Sequence, residues 1–241
     1  MSARARLAAV LVVAGAIAQA GCYGNTATAF PAGSEPWEVN MAPMPEPTEG
    51  DPCPEDQITF HRTGFEGVRA VHARACVHQP LSEVWRALRD PQTSRDPTTT
   101  AGFRVVEYDV SASEDPAPAY SYRTAVHVDD IIDLDFEQTW RHYLAEGTDD
   151  APELTATRWQ KTFGSDALIV MQGSIVARPL EADPSITLLE YQYHLDAVAR
   201  DDHGTIESFL RVIYGRLRQR AHGETLEPND CVDCAEPPAH Y

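Results

Sequence analysis

The sequence predicts an α+β domain in which an antiparallel sheet of seven strands is closed by a long C-terminal helix. Three observations lead there. The stretch VRAVHARACVHQPLSEVWRALRDPQTSRDP, Val68 to Pro97, reads as a strand, a short helical segment and a stop. Six further stretches alternate apolar and polar residues and are joined by short turns with no helical pattern between them, the spacing of an antiparallel meander. The last element, Thr205–Arg220, places Ile206, Phe209, Leu210, Ile213 and Leu217 on one helical stripe.

In Val68–Val77, the apolar Val71, Ala73, Ala75 and Val77 alternate with His72, Arg74 and Cys76, the period of two of a half-buried strand. Pro80 suits the first helical position, where a missing N–H is harmless. Leu81, Val84, Trp85 and Leu88 then make one helical stripe. Asp90-Pro91 ends it, because proline cannot continue the hydrogen-bond ladder. The next strands are expected at Phe103–Val110, with Val106, Tyr108 and Val110 on one face, and at Tyr120–Val128, Leu134–Tyr143 and Leu154–Phe163. Leu168–Arg178 is apolar on both faces, with Gly173 expected as a kink or bulge. Ile186–Ala197 puts Leu189, Tyr191, Tyr193 and Leu195 on one face and Glu190, Gln192, His194 and Asp196 on the other. Arg216, Arg218 and Arg220 gather near the end of the final helix, where cations suit its dipole, and Gly223 stops it.

Pro80, Val84, Trp85, Leu88, Asp90 and Pro91 match a pattern P-x-x-x-V-W-x-x-L-x-D-P. This pattern, with the order strand, short helices, six strands and long helix, resembles the START-related SRPBCC superfamily of helix-grip proteins. The resemblance implies a curved seven-stranded sheet around the C-terminal helix, two short helices after the first strand, and a pocket for apolar molecules on the concave side. The concave face would carry Tyr108, Tyr122, Phe136, Trp140, Trp159, Tyr191 and Tyr193, opposed by Phe209 and Ile213. Tyrosine hydroxyls suit the few polar contacts that orient a ligand in an apolar pocket. An ordinary collapsed core would use these same residues.

Before the domain, Arg4 and Arg6 precede an apolar run, Leu7 to Ala18, and then Gln19-Ala20-Gly21-Cys22. That is a secretory signal over 1–21, too short for the roughly 20 residues of a spanning helix. Ala20-Gly21-Cys22 looks like a bacterial lipobox, in which Cys22 is acylated; Gln19 departs from the usual leucine. Tyr23 is not the aspartate that often holds such proteins at the inner membrane, so the outer membrane facing the periplasm is expected. Residues 22–57 hold many Pro, Gly, Glu, Asn and Thr without a sustained period and read as a flexible tether. The domain then spans 58–222, and 223–241 is an acidic, cysteine-containing tail. The formal charge of −18 opposes a nucleic-acid partner. Lys161 is the only lysine, which reads as composition rather than mechanism.

Cys53, Cys76, Cys231 and Cys234 are an even set in an exported chain and are disulfide candidates. A staple between Cys53 and the C-terminal pair is the first choice. Cys231-Val232-Asp233-Cys234 lies in a polar tail, out of context for a redox motif, and lacks the two further ligands of a zinc knuckle. His72, Cys76 and His78 share one strand face, and the last strand as antiparallel neighbour would add Glu190, His194 and Asp196. Polar residues on a solvated strand explain these better than a metal, and His127 and His142 are expected at the surface. Asp129–Asp135 lacks the ligand spacing of a calcium loop. No metal or cofactor is expected.

Gln138 and His142, with Arg158 if the register slips, are the sole inward candidates for acid–base work, and no hydrolase, phosphate-loop or dinucleotide motif is present. The expected function is a membrane-tethered periplasmic lipoprotein that binds or carries a hydrophobic small molecule or lipid without chemistry. Two alternatives stay open: an envelope scaffold with a filled core and a protein partner, and a cyclase- or hydrolase-like cavity enzyme.

Overall fold

The computed structural model describes residues 53, 55–65, 68–129, 133–198, 202–227 and 235–239, the side chains of 63–65 and 202 excepted. The signal at 1–21, Cys22, most of the tether, Asp130–Ile132, and Cys231 and Cys234 lie outside the described residues. The elements are β1 (Gln57–Phe65), β2 (Val68–Val77), α1 (Leu81–Arg89), a 3₁₀ turn (Pro91–Ser94), β3 (Thr100–Tyr108), β4 (Tyr120–Val128), β5 (Leu134–Gly147), β6 (Pro152–Gly164), β7 (Leu168–Leu180), β8 (Asp183–Ala197) and α2 (Asp202–Ala221). All eight strands form one curved antiparallel sheet in the order β1-β2-β8-β7-β6-β5-β4-β3. The chain crosses once, from β2 through α1 and the 3₁₀ turn to the far edge, then returns as a meander until β8 pairs with β2. The predicted class and element order hold, with β8 beside β2 as expected.

The sheet has eight strands rather than seven. The added β1 is an edge strand that pairs with β2 from Gln57↔Cys76 to Phe65↔Val68. Ile58 and Phe60 pack against the core, but Arg62 replaces the third apolar residue of the alternation, so the pattern ends too early to read as a strand. A disulfide joins Cys53 to Cys76. The staple expected from Cys53 to the C-terminal cysteines is therefore not formed. Hairpin pairing carries the start of β1 alongside the end of β2, so Cys76 is the cysteine that Cys53 meets. In β3, register shifts between Thr100 and Gly102 and between Val105 and Glu107 change the expected face: Phe103 and Val105 are buried rather than Val106 and Val110.

Pro80 stands as the cap of α1 rather than its first residue, with its carbonyl accepting from Glu83 N at 3.0 Å. Asp90 ends α1 and caps the 3₁₀ turn, its carboxylate accepting from Gln92 N at 2.9 Å. Trp85 is fully buried and donates through Nε1 to Asp149 Oδ1 at 2.8 Å. The Arg89 guanidinium lies 4.2 Å over the Tyr120 ring and bonds the same Asp149. α2 buries Ile206, Leu210, Ile213 and Leu217, as its stripe predicts. Tyr214 Oη on α2 donates to Cys76 O at 2.8 Å and pins the helix to β2.

The inward residues fall into rows across the sheet. One row runs Tyr108, Tyr122, Trp140, Trp159, Gly173 and Tyr193, partners in register on β3, β4, β5, β6, β7 and β8. Trp140 and Trp159 stack with centroids 4.9 Å apart, and Trp159 reaches Tyr193 at 5.5 Å. Gly173 between them is neither kink nor bulge, since β7 pairs regularly on both sides of it. Its absent side chain is space for the indole. A Cβ there would sit 2.1 Å from Trp159 Cζ2 and 2.6 Å from Gln192 O. Overpacking of that kind costs about 1–3 kcal/mol, and here backbone blocks one side. Gly173→Ala is therefore expected to lower unfolding free energy by about 2 kcal/mol or more in a urea titration, while Gly215→Ala, inside α2 where nothing lies within 4 Å of an added Cβ, is expected to raise it by about 0.5–1 kcal/mol.

Candidate functional site

A cavity of about 620 Å³ opens between α2 and the β3–β5 half of the sheet. Its existence follows from coverage. α2 packs on α1, the 3₁₀ turn, β1, β2 and β8, and α1 packs against β6, β7 and β8. Eight strands spaced about 4.8 Å apart span roughly 34 Å, whereas a helix with its side chains is about 10–12 Å wide. α1 reaches β4 and β5 at one end, through Trp85 against Tyr120 and His142, and toward the other end the inward faces of β3, β4 and β5 are left without a helix directly upon them.

The aromatic row forms the inner limit of this space. Beyond it toward the mouth come Gln138 and Met171, then Val126, Phe136, Leu168 and Leu195, all in the lining. The α2 side supplies Phe209, whose ring meets Tyr193 at 5.3 Å, and Ser208. Ser94, Arg95, Asp96, Thr99 and Thr100, between the 3₁₀ turn and β3, give one polar side. Gln138 Nε2 is turned to Met171 Sδ at 3.4 Å. Asp96 is engaged locally, accepting from the Thr98 backbone N–H at 2.8 Å and from its hydroxyl. Among the described residues, no histidine, cysteine, lysine or glutamate lines the cavity.

The sequence-predicted ligand contacts divide. Phe136, Tyr193 and Phe209 line the cavity. Trp140, Tyr191 and Ile213 instead surround a separate void of about 20 Å³ behind the aromatic row. Tyr122 and Trp159 are fully buried within the row, and half-buried Tyr108 closes its edge, 6.4 Å from Tyr122. Missing from the sequence reading were the mouth residues Arg95, Asp96, Thr99 and Thr100, which stand in an irregular stretch where no periodicity assigns a face. Val126, Leu168, Met171 and Leu195 were missed as well. The inward register of the strands places them, but they were passed over in favour of larger aromatics.

Several polar residues lie elsewhere than expected. His142 is not at the surface. It pairs in register with Thr157 on the closed side of the aromatic row, is fully buried, and its Nδ1 meets Thr157 Oγ1 at 2.9 Å. Burial, helped by the Arg89 charge, pushes its pKa down to about 3. Arg158 faces the opposite side of the sheet and is nearly buried. His72 and His194 are buried rather than solvated, and His72 Nε2 meets the Gln192 amide nitrogen at 2.9 Å. Burial and the neighbouring His72 lower His194 to about 4. His78 turns to Asp56, its Nδ1 2.9 Å from Oδ1, and Glu190 lies 3.6 Å from Arg74 and Arg178. His127 is exposed and pairs with Asp135. Lys161 has a structural task that composition hid: fully buried, its Nζ donates to Ser165 O at 3.0 Å and to Leu168 O, closing the β6–β7 turn. No group of three or more side chains suited to a metal occurs among the described residues.

No protein-family model matches the chain, and no curated protein matches it. Among solved structures, the chain is similar to the human StarD13 lipid transfer and protein localization domain, with 12% identity, a TM-score of 0.45, and coverage of 68% of this chain and 83% of that one. It is also similar to an aromatase/cyclase from Streptomyces sp. R1128, at 20% identity and TM-score 0.40, over 66% of this chain and 99% of that one. A protein of Thermus thermophilus aligns at 12% identity and TM-score 0.43, over 64% and 97% of the two chains.

The buried histidines set a pH dependence. His142 and His194 have folded pKa values below the ordinary 6.5, so the unfolded chain takes up the protons first. Their contribution is complete above about pH 6.5 and is lost as pH falls toward 4, by up to about 1.4 kcal/mol per pH unit for each group. The melting temperature is expected to fall across that window. His142→Asn, which retains a partner for Thr157 but cannot take up the proton, is expected to make the fall shallower, as read by circular dichroism melts at pH 7 and pH 4.5.

Proposed function

We propose that this protein binds or carries a hydrophobic small molecule or lipid in the cavity between α2 and strands β3–β5, without transforming it. The observation that carries this is the cavity itself: about 620 Å³, within the 300–1,000 Å³ of small-molecule sites, apolar inside and polar on one side. Such a space excludes water from a ligand's chain while leaving its end near polar groups. Catalysis by proton transfer needs a titratable side chain within hydrogen-bond reach of the reacting atoms. The lining offers Asp96, already engaged by Thr98, the Tyr193 hydroxyl, whose pKa burial raises, and the Arg95 guanidinium, a donor only. His142 is cut off from the cavity by the aromatic row. A scaffold with a filled core does not fit a cavity of this size.

We further propose that the domain is exported and held at the outer membrane, facing the periplasm, by an acyl group on Cys22. The lipobox-like Ala20-Gly21-Cys22 after a short apolar run supports this. Among the described residues, no helix is long and apolar enough to cross a membrane.

Native mass spectrometry of the exported chain, with Cys22→Ser to remove any attached acyl chain, tests the binding. A releasable lipid or isoprenoid adduct is expected on the otherwise unaltered chain. Val126→Trp, which fills the cavity from β4, is expected to reduce the adduct at least tenfold while the far-ultraviolet spectrum is unchanged. A clean mass with no uptake from a membrane-lipid extract would overturn the binding function. For the anchor, metabolic labelling with an alkyne-bearing palmitate is expected to mark the chain with Cys22 and leave Cys22→Ser unmarked.

A further inference from the structure

Arg95 and Arg216 stand out against a chain of formal charge −18. Arg95 lines the cavity, yet its Nε is buried without a hydrogen-bond partner, and its guanidinium forms no ion pair among the described residues. Arg216, on α2, is 7% exposed. Its Nε donates to Gln92 O in the 3₁₀ turn at 2.8 Å, while its Nη2 is buried without a partner. The two charges are near neighbours: burial and the adjacent Arg95 both lower the Arg216 pKa, against the smaller opposing influence of Glu227, Asp90 and Asp96. Two of these three carboxylates are committed elsewhere. Asp90 pairs with Arg220 at 2.9 Å, and Asp96 accepts from Thr98.

A buried N–H on a charged group that lacks an acceptor is costly, and two like charges placed together add to that cost. Guanidinium donors form their strongest contacts with carboxylate and phosphate oxygens, often two at a time. We propose that the cavity takes an amphiphile with an anionic oxygen head, the head held by Arg95 with the Arg216 charge behind it and the apolar chain directed toward Val126, Phe136 and Leu195. This rests on the cavity-binding function above and narrows its ligand to one chemical class. The head is a carboxylate or a phosphate ester, since both present oxygens that fit the arginine donors.

The test is displacement of the neutral dye N-phenyl-1-naphthylamine by oleate, 1-oleoyl lysophosphatidate and methyl oleate, each below its micelle concentration. Oleate or the lysophosphatidate is expected to bind at least tenfold more tightly than the uncharged ester, and which of the two does so identifies the head. Arg95→Gln is expected to bring this preference below about threefold while the far-ultraviolet spectrum and melting temperature stay those of the unaltered chain, which shows that the fold is intact. Arg95→Lys is expected to keep part of it. Equal affinity for all three ligands, or a preference untouched by Arg95→Gln, would overturn the anionic head and leave the cavity function standing. Failure of the dye and of every ligand to bind would overturn both.

Discussion

The stacking of Trp140 on Trp159, and the reach of Trp159 across Gly173 to Tyr193, is the contact on which the interior depends. Any other residue at position 173 would place a side chain between β6 and β8, and the indole could not cross. With glycine there, aromatic rings continue from β4 to β8 and on to Phe209 of α2. The row divides the space under the sheet. On one side His142, Thr157, Ile175 and Tyr191 pack into a nearly solid interior; on the other the cavity begins. Aromatic contacts of this kind add about 0.5–1.5 kcal/mol each beyond the area they bury, so the division is held by packing rather than by a hydrogen-bond network.

The cavity is the complement of that row and of the way two helices share a wide sheet. α2 commits to the β1-β2-β8 side, where Tyr214 bonds Cys76 O, and α1 covers the middle. Side chains from β4 and β7 would need to be larger to fill what remains, yet Val126, Leu168 and Met171 are of middling size. The irregular chain from Ser94 to Thr100 borders the open side and brings a cluster of polar groups to a largely apolar lining.

Period and punctuation made most of the fold legible. Alternation in β2, β4, β5, β6 and β8 and the stripe on α2 state which faces turn inward, and turns between them leave no room for crossover helices. β1 was missed because only Ile58 and Phe60 are apolar before Arg62 interrupts. The faces of β3 were misassigned because a bulge adds a residue that period-two counting cannot see. The site was partly legible. Phe136, Tyr193 and Phe209 do line the cavity, but weighting by aromatic size drew in Tyr122, Trp140 and Trp159, which are buried in the aromatic row outside its lining. Whether an inward residue meets a neighbour or open space depends on where the helices lie, and no single strand records that. His142 and Lys161 show the same limit: their residue types suggest surface, while strand register puts them inside.

The Cys53–Cys76 bond decides how the domain bears a mechanical load arriving along the N-terminal chain. Without it, tension at residue 53 would peel the edge strand β1 from Gln57 onward, one pair of hydrogen bonds at a time. The covalent link diverts that tension to the end of β2, a strand bonded on both sides and tied to α2 by Tyr214. Cys76 also lies at the end of β2 opposite Arg69, whose partner Leu195 borders the cavity. Tension along the N-terminal chain would thus enter at the closed end, far from the mouth.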